Sequence, residues 1–329
     1  MIKLFKGNNA LGQIVAIALI TAALWLPVFW QGIAPHESDV FAPLYDLVIR
    51  GIAPYHTIAN ALALFLIVVQ GIWLNILLYR YKMTSTQTLM PMMLYIVAMS
   101  ASPAHIGLTP FVFVNLAILA ACSQLLSAAA STLEVSRNFN ASFCIGLATL
   151  FYLPSLTYLI PFLLVFVIYK LYRWRHILVA FFGFIAPMIL FFTYAFLFDK
   201  ADYFSILIAY DLTSLHFVSQ DVPTLISVPN IIILVILVAS LTAAGGKRLD
   251  GGLQWRINTG ILLLPLIAAL AMHLYSAWFP FNLQSAAIPF AFSTTLLLMT
   301  DRKRRWINET IIWILLVACA IPWLADLTS

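Results

Sequence analysis

The sequence predicts an all-α, polytopic membrane protein, and three observations predict it. Hydrophobic residues make up 63% of the 329 positions and charged residues only 9%, against roughly a quarter charged in a soluble domain. Mean hydropathy is +1.00, more apolar surface than a soluble fold can hide. The apolar residues also fall in runs near the ~20 residues that cross a hydrocarbon core, separated by charged or Pro/Gly-rich connectors. The chain therefore reads as a single integral membrane domain over residues 1–329, with about eleven transmembrane helices.

The first run, 11–30, follows Lys3 and Lys6 and exceeds the roughly 7–15 apolar residues of a cleaved signal, so it is expected to remain as a span. Runs at 58–79, 89–105 and 111–130 follow. The next two, 139–153 and 155–170, meet at Pro154 and read either as two short spans or as one overlong helix. Beyond them lie 177–198, 229–245, 257–275, 281–299 and 310–325. Charge separates the two options. With two spans, every one of the 17 Lys and Arg residues except Arg50 and Lys200 falls on the side of the N-terminus. With one span the later connectors flip and the positive-inside rule is broken. The N-terminus is therefore expected in the cytoplasm and the C-terminus in the periplasm, with outer loops at about 31–57 and 199–228.

The acids and histidines played no part in that argument, yet they gather on the opposite face. Glu37, Asp39, Asp46, Asp199, Asp202, Asp211, Asp221 and Asp326 lie there, with His36, His56, His105, His216 and His273. Groups that can exchange protons are concentrated on one side, which marks it as the working surface. The net charge of +5 is spread over connectors, where it orients helices, so nucleic-acid binding is not expected. Cys122, Cys144 and Cys319 sit inside apolar runs and read as packing residues. No Asp, Glu, Lys or Arg occupies mid-span, which argues against an ion-coupled transporter. Buried polarity is limited to amides and hydroxyls, among them Gln13, Gln70, Asn115 and Asn258, expected to hydrogen-bond between helices. The stretch Gly146, Ala148, Thr149 is expected to let two helices approach closely.

In the first outer loop, Val40 to Ile49 is apolar on one face, with Asp39, Asp46 and Arg50 on the other. This is the pattern of a helix lying in the interface, anchored by Tyr45 and Tyr55. The second loop, Asp199 to Pro229, has a similar character, with Asp202, Asp211 and His216. His36, Glu37, Asp39, His56 and His216 are the residue types that bind zinc, manganese or iron, but no pair has a diagnostic spacing, so no metal site is assigned and the cofactor stays open.

An acid just after the first span, an interfacial helix, and a return through Gly51, Pro54 and Tyr55 together resemble the first loop of membrane glycosyltransferases of the GT-C fold. The resemblance covers Asp39 through Tyr55 and lacks that superfamily's adjacent Asp-Glu pair. It implies that Glu37 or Asp39 is the catalytic carboxylate, acting on an acceptor beside a polyprenyl-phosphate sugar donor. Over residues 60 to 200, the segments Gln70 to Asn75, Phe139 to Pro154, and Trp174, Arg175, Gly183, Pro187, Phe198 and Asp199 resemble an uncharacterised family of multi-pass inner-membrane proteins of Bacteroidota. That resemblance implies the cytoplasmic membrane of a bacterium and carries no activity.

The expected function is action on a lipid-linked or amphipathic substrate at the periplasmic face, with glycosyl transfer from a polyprenyl-phosphate donor as its most concrete form. Glu37 and Asp39 are the candidate catalytic residues. Asp46, Arg50, Tyr55, His56, Lys200, Asp202, Asp211 and His216 are the candidate substrate-binding residues. Membrane lipids are the expected partners. The rival expectation is a non-catalytic subunit or scaffold of a cell-envelope complex, with protein partners.

Overall fold

The computed structural model describes residues 4–5, 10–36, 41–84, 88–101, 106–130, 135–168, 174–198, 228–250, 252–275, 283–300 and 305–328. Among these residues there are helices and connectors and no strand. Five helical stretches are long and apolar enough to cross a membrane: Ala10–Gln31, His56–Arg80, Pro110–Ala128, Trp174–Leu197 and Leu253–Met272.

The elements run in chain order. α1 is Ala10–Gln31, α2 Pro43–Ile52, α3 His56–Arg80, α4 Met90–Met99, α5 Pro110–Ala130 and α6 Val135–Phe151. A 3-10 turn, Leu153–Tyr158, leads into α7 at Leu159–Ile168, followed by α8 at Trp174–Leu197 and α9 at Val228–Asp250. α10 (Leu253–Leu263) and α11 (Pro265–Tyr275) are two halves of one apolar stretch joined at a proline. A short 3-10 turn, Leu283–Ala286, then opens α12 (Ala287–Thr300), and α13 is Arg305–Thr328.

Two boundaries differ from the sequence expectation, and one break agrees with it. α4 stops at Met99 rather than near 105: the Ser100 N–H and hydroxyl still donate to the Ile96 carbonyl, and the chain then approaches Pro103, whose ring disfavours helix in the residue before it. The expected run 281–299 is helical in α form only from Ala287. Near Pro154 the chain breaks at Tyr152, which is extended (φ −164°, ψ 110°), so 139–170 is not one continuous helix.

α4 is buried at every position from Met90 to Met99 except Met92, as expected of a helix that is apolar on all sides. It lies between α3 and α12. With 10 residues it rises about 15 Å, half of a ~30 Å hydrocarbon core. Its open end therefore falls inside the bundle, where freed backbone groups need partners. Side-chain amides supply them. The Gln284 amide donates to the Met99 carbonyl (2.9 Å) and its oxygen accepts from the Thr109 hydroxyl (3.0 Å). Asn115 donates to the Gln284 carbonyl (2.6 Å). Gln70 donates to the Val112 carbonyl (3.0 Å) and accepts from the Tyr95 hydroxyl (2.5 Å). Trp25 of α1 donates to the Ser100 hydroxyl (2.9 Å). Each bond contributes about 0.6 kcal/mol on average within a membrane, so the group acts mainly by leaving few buried polar atoms unpaired.

α6 packs most closely on α8 and α5. The α6–α8 crossing is made by reciprocal glycines. A Cβ on Gly146 would meet the Phe184 carbonyl oxygen and stand 2.7 Å from Pro187 Cγ, while one on Gly183 would meet Ser142 Oγ and stand 2.6 Å from the Phe139 carbonyl oxygen.

Candidate functional site

The segment between α1 and α3 is held against the bundle at three places. Asn60, in the first turns of α3, is fully buried and donates to the Ile33 carbonyl (2.9 Å). His36 donates its backbone N–H to the Leu108 carbonyl (3.1 Å), and the buried Tyr45 hydroxyl lies 2.6 Å from the His36 carbonyl and 2.7 Å from that of Leu108. Leu153 donates its N–H to the Phe41 carbonyl (3.1 Å). Residues 33–36 and 41–45 thus touch α3, the α4–α5 connector and the 3-10 turn after α6.

α2 forms where it does because Pro43 opens it with a preset φ, Asp46 sits in its first turn and Arg50 in its last, each charge favourable to the helix dipole. The sequence reading placed this helix in the interface with its apolar face toward lipid. Instead that face is covered by protein: Phe41 packs with Leu150 and Leu153 of the α6–turn region and with Phe191 and Ala195 of α8, while Leu44 and Leu47 lie against the same cluster. Of its two expected aromatic anchors, Tyr55 is exposed and Tyr45 is fully buried, edge-on to Phe113 at 6.1 Å. Burial, reinforced by the neighbouring Asp46 carboxylate, pushes the Tyr45 hydroxyl far above the ordinary tyrosine range, so it stays a neutral donor to the two carbonyls.

The described candidates fall in two groups. Asp46, half-buried, and Arg50, exposed, lie one turn apart on α2. Tyr55 and His56 are exposed where α3 begins. Glu37, Asp39, Lys200, Asp202, Asp211 and His216 lie outside the described residues. Glu37 and Asp39 nonetheless fall in chain between two fixed points, the His36 N–H on Leu108 and the Phe41 carbonyl on Leu153. Among the described residues no three His, Cys, Asp or Glu side chains come together as a metal site. The chain matches no protein-family model, no curated protein and no solved structure.

Two apolar slots lie along the bundle. One, about 470 Å³, runs along α1 from Ile14 to Phe29, walled opposite by Leu64 and Val68 of α3 and by Leu89 and Met92 of α4. The other, about 390 Å³, descends the 3-10 turn and α7 from Leu153 to Leu163. Both lie within the roughly 300–1,000 Å³ of small-molecule sites. Each opens sideways between exposed apolar side chains: Ile14 and Leu26 at the first, Ile160 and Leu163 at the second. Sequence reasoning missed both slots, because hydropathy records that a residue is apolar and not whether a neighbour covers it. It also missed Asn60, whose carbonyl oxygen is a buried acceptor with no donor in reach and faces Gly107, where a Cβ would stand 3.0 Å away.

Proposed function

We propose that the chain is a multi-pass protein of a bacterial cytoplasmic membrane, with about eleven spans and its N-terminus in the cytoplasm, that acts on a lipid-linked substrate at the periplasmic face. The observation that carries this reading is the Leu153 N–H to Phe41 carbonyl bond. It joins one end of an apolar slot to Phe41, which follows Asp39 by two residues in the chain. A substrate whose hydrocarbon tail enters such a slot from the bilayer has its polar head at the loop.

The most concrete activity is glycosyl transfer from a polyprenyl-phosphate sugar. Asp39 or Glu37 accepts the proton of the acceptor hydroxyl. The hydroxyl oxygen forms the new bond to the anomeric carbon, and the bond from that carbon to the phosphate oxygen breaks. The polyprenyl phosphate departs with the electron pair. Arg50 or Lys200 holds the phosphate, and Asp46, Tyr55, His56, Asp202, Asp211 and His216 contact the head groups. The test is genetic: Asp39→Asn and Glu37→Gln alleles in the native host, each checked for expression. Loss of the wild-type phenotype with either allele supports the carboxylate role, and full function of both removes it.

The rival, a non-catalytic subunit of an envelope complex, is favoured by one observation. The described polar candidates, Asp46 with Arg50 and Tyr55 with His56, stand on separate helices, three of the four exposed. A partner co-purifying in stoichiometric amount from mild detergent, together with silent carboxylate alleles, would establish it.

A further inference from the structure

The slot along α1 is long and narrow. From Ile14 to Phe29 is about 22 Å of helix, so about 470 Å³ spread over that length gives a mean cross-section of about 21 Å², roughly 5 Å across. A helix with its side chains is about 10–12 Å across and does not fit inside. The slot stays open because α1 is pinned at two levels. The buried Gln13 accepts from the Leu89 N–H (2.9 Å) and donates to the Leu4 carbonyl (3.2 Å), and the buried Trp25 donates to the Ser100 hydroxyl (2.9 Å). Between the pins, the short side chains of Ala18, Thr21 and Ala22 leave the space toward α3 and α4 unfilled. Rolling α1 inward to close it would strain these bonds, and each buried polar group left unpaired costs about 1–3 kcal/mol. Protein interiors hold few voids larger than a water molecule, and an apolar cavity stays dry and takes up apolar ligands. Here the lining carries no charged side chain, and its walls run into the apolar surface of the helices without a break: Ile14, Ala18, Ala22 and Leu26 line the slot and are also exposed.

We infer that this slot is an integral lipid site: a hydrocarbon chain of a membrane phospholipid lies between α1 and the α3–α4 pair and completes the packing that α1 lacks. The occupant follows from the continuity of the slot with the apolar belt, where hydrocarbon surrounds the helices, and from a width that admits a chain and refuses a helix. Recognition is of the chain and not of a head group, since only Thr21 and Trp25 in the lining carry an O–H or N–H, and that of Trp25 is already bonded. Met92 is the adjustable wall. Its Cγ stands 3.0 Å from where a Cβ on Gly71 would sit, and an unbranched thioether adapts to an irregular occupant. Without the lipid chain, α1 keeps its two pins and sparse contacts with α3, α4 and α13, so its attachment to the bundle depends on bound lipid. This goes beyond the transfer reaction and does not rest on it; silent Asp39 and Glu37 alleles leave it standing.

The test uses the full-length chain in nanodiscs of phosphatidylethanolamine and phosphatidylglycerol, doped with a phosphatidylethanolamine that carries a photoreactive diazirine in one acyl chain. The labelled residues are mapped by mass spectrometry. Labels are expected to be denser at Leu64, Val68 and Met92 inside the slot than at the exposed Phe181 and Phe182 of α8. Ala22→Phe, which places a ring in the slot, should reduce the slot labels about tenfold, the change that ~1.4 kcal/mol of lost affinity produces. Leu19→Phe, exposed on α1 but outside the lining, should leave them unchanged. Ala22 is exposed, so its variant spares the buried core; Ala18→Phe replaces it if it folds poorly. Slot labels no denser than those on α8, and indifferent to both ring variants, would mean that only bulk lipid meets α1 and would overturn the inference. So would a bismaleimide that joins Ala22→Cys, but not wild type, to a second copy or to another protein in native membranes, since the groove would then be a protein interface.

Discussion

Replacing Gly146 or Gly183 by alanine adds one carbon at the α6–α8 crossing, and the cost can be worked from the distances. The new Cβ would stand 2.7 Å from Pro187 Cγ at the first site and 2.6 Å from the Phe139 carbonyl oxygen at the second. The atoms it meets include backbone carbonyls and a proline ring, which cannot rotate aside. The helices must therefore part by about 1 Å to reach ordinary contact, loosening the packing along the whole crossing. Overpacking of this kind costs about 1–3 kcal/mol, offset by the ~1 kcal/mol that alanine gains over glycine within a helix. At the upper end of that range, as contacts this short to backbone atoms imply, the net loss is about 2 kcal/mol, a midpoint lower by roughly 4–8 °C. Thermal unfolding in detergent with a thiol-reactive fluorophore reads it directly, because Cys122 and Cys319 are buried and become reactive only as the bundle opens. Gly245→Ala and Gly246→Ala are the internal controls: a Cβ there meets nothing within 4 Å, so their midpoints should hold or rise. The double variant Gly146→Ala/Gly183→Ala should cost less than the two losses added, since helices already parted admit the second methyl more easily. Single variants that behave like the Gly245 control would refute the close-crossing argument.

Tyr45→Phe leaves the His36 and Leu108 carbonyls without their hydroxyl donor, a loss of about 1–3 kcal/mol that should appear as faster hydrogen exchange across residues 33–45. Because the folded state holds Tyr45 neutral above its ordinary value of 10.0, its contribution persists below that pH. It declines as pH rises further and the unfolded chain ionises, so wild type and Tyr45→Phe should converge in stability at strongly alkaline pH. Gly107→Ala combines a φ of +116° with a contact 3.0 Å from Asn60 Oδ1. It should lower the midpoint by an amount equivalent to about 1–2 kcal/mol, measured by the same dye assay. Gln284→Leu strips partners from the Thr109 hydroxyl and the Met99 carbonyl, and at about 1–3 kcal/mol should exceed Thr242→Val, an exposed hydroxyl that bonds only within its own helix.

What the sequence disclosed followed from what hydropathy measures. The long apolar helices were legible: α3 begins and ends within two residues of the expected 58–79 run. The amide expectation holds for Gln70 and Asn115, because an amide in an apolar helix has little else to bond. Gly146 was legible for the same kind of reason, since a small residue leaves room that only a neighbouring helix fills. The premature end of α4 was not legible, because the apolar run continues past Ala98. Nor was the placement of Tyr45, which reads as an interfacial anchor until the Leu108 carbonyl is seen beside it. Of the candidate site, the sequence supplied the residue types; which chain segments meet the loop, and that an apolar slot ends beside Phe41, depend on contacts between distant segments.

The bond from Asn115 to the Gln284 carbonyl spans 169 residues of sequence, and this has a consequence for biosynthesis. At about 5–20 residues per second, roughly 8–34 s separate the synthesis of its two ends. Throughout that interval the open end of α4 lacks the amide that closes it. A nascent chain in this condition must shelter polar backbone from lipid with something else, such as the insertion machinery or a bound chaperone. Folding of the amino-terminal helices is therefore finished by one of the last segments to enter the bilayer.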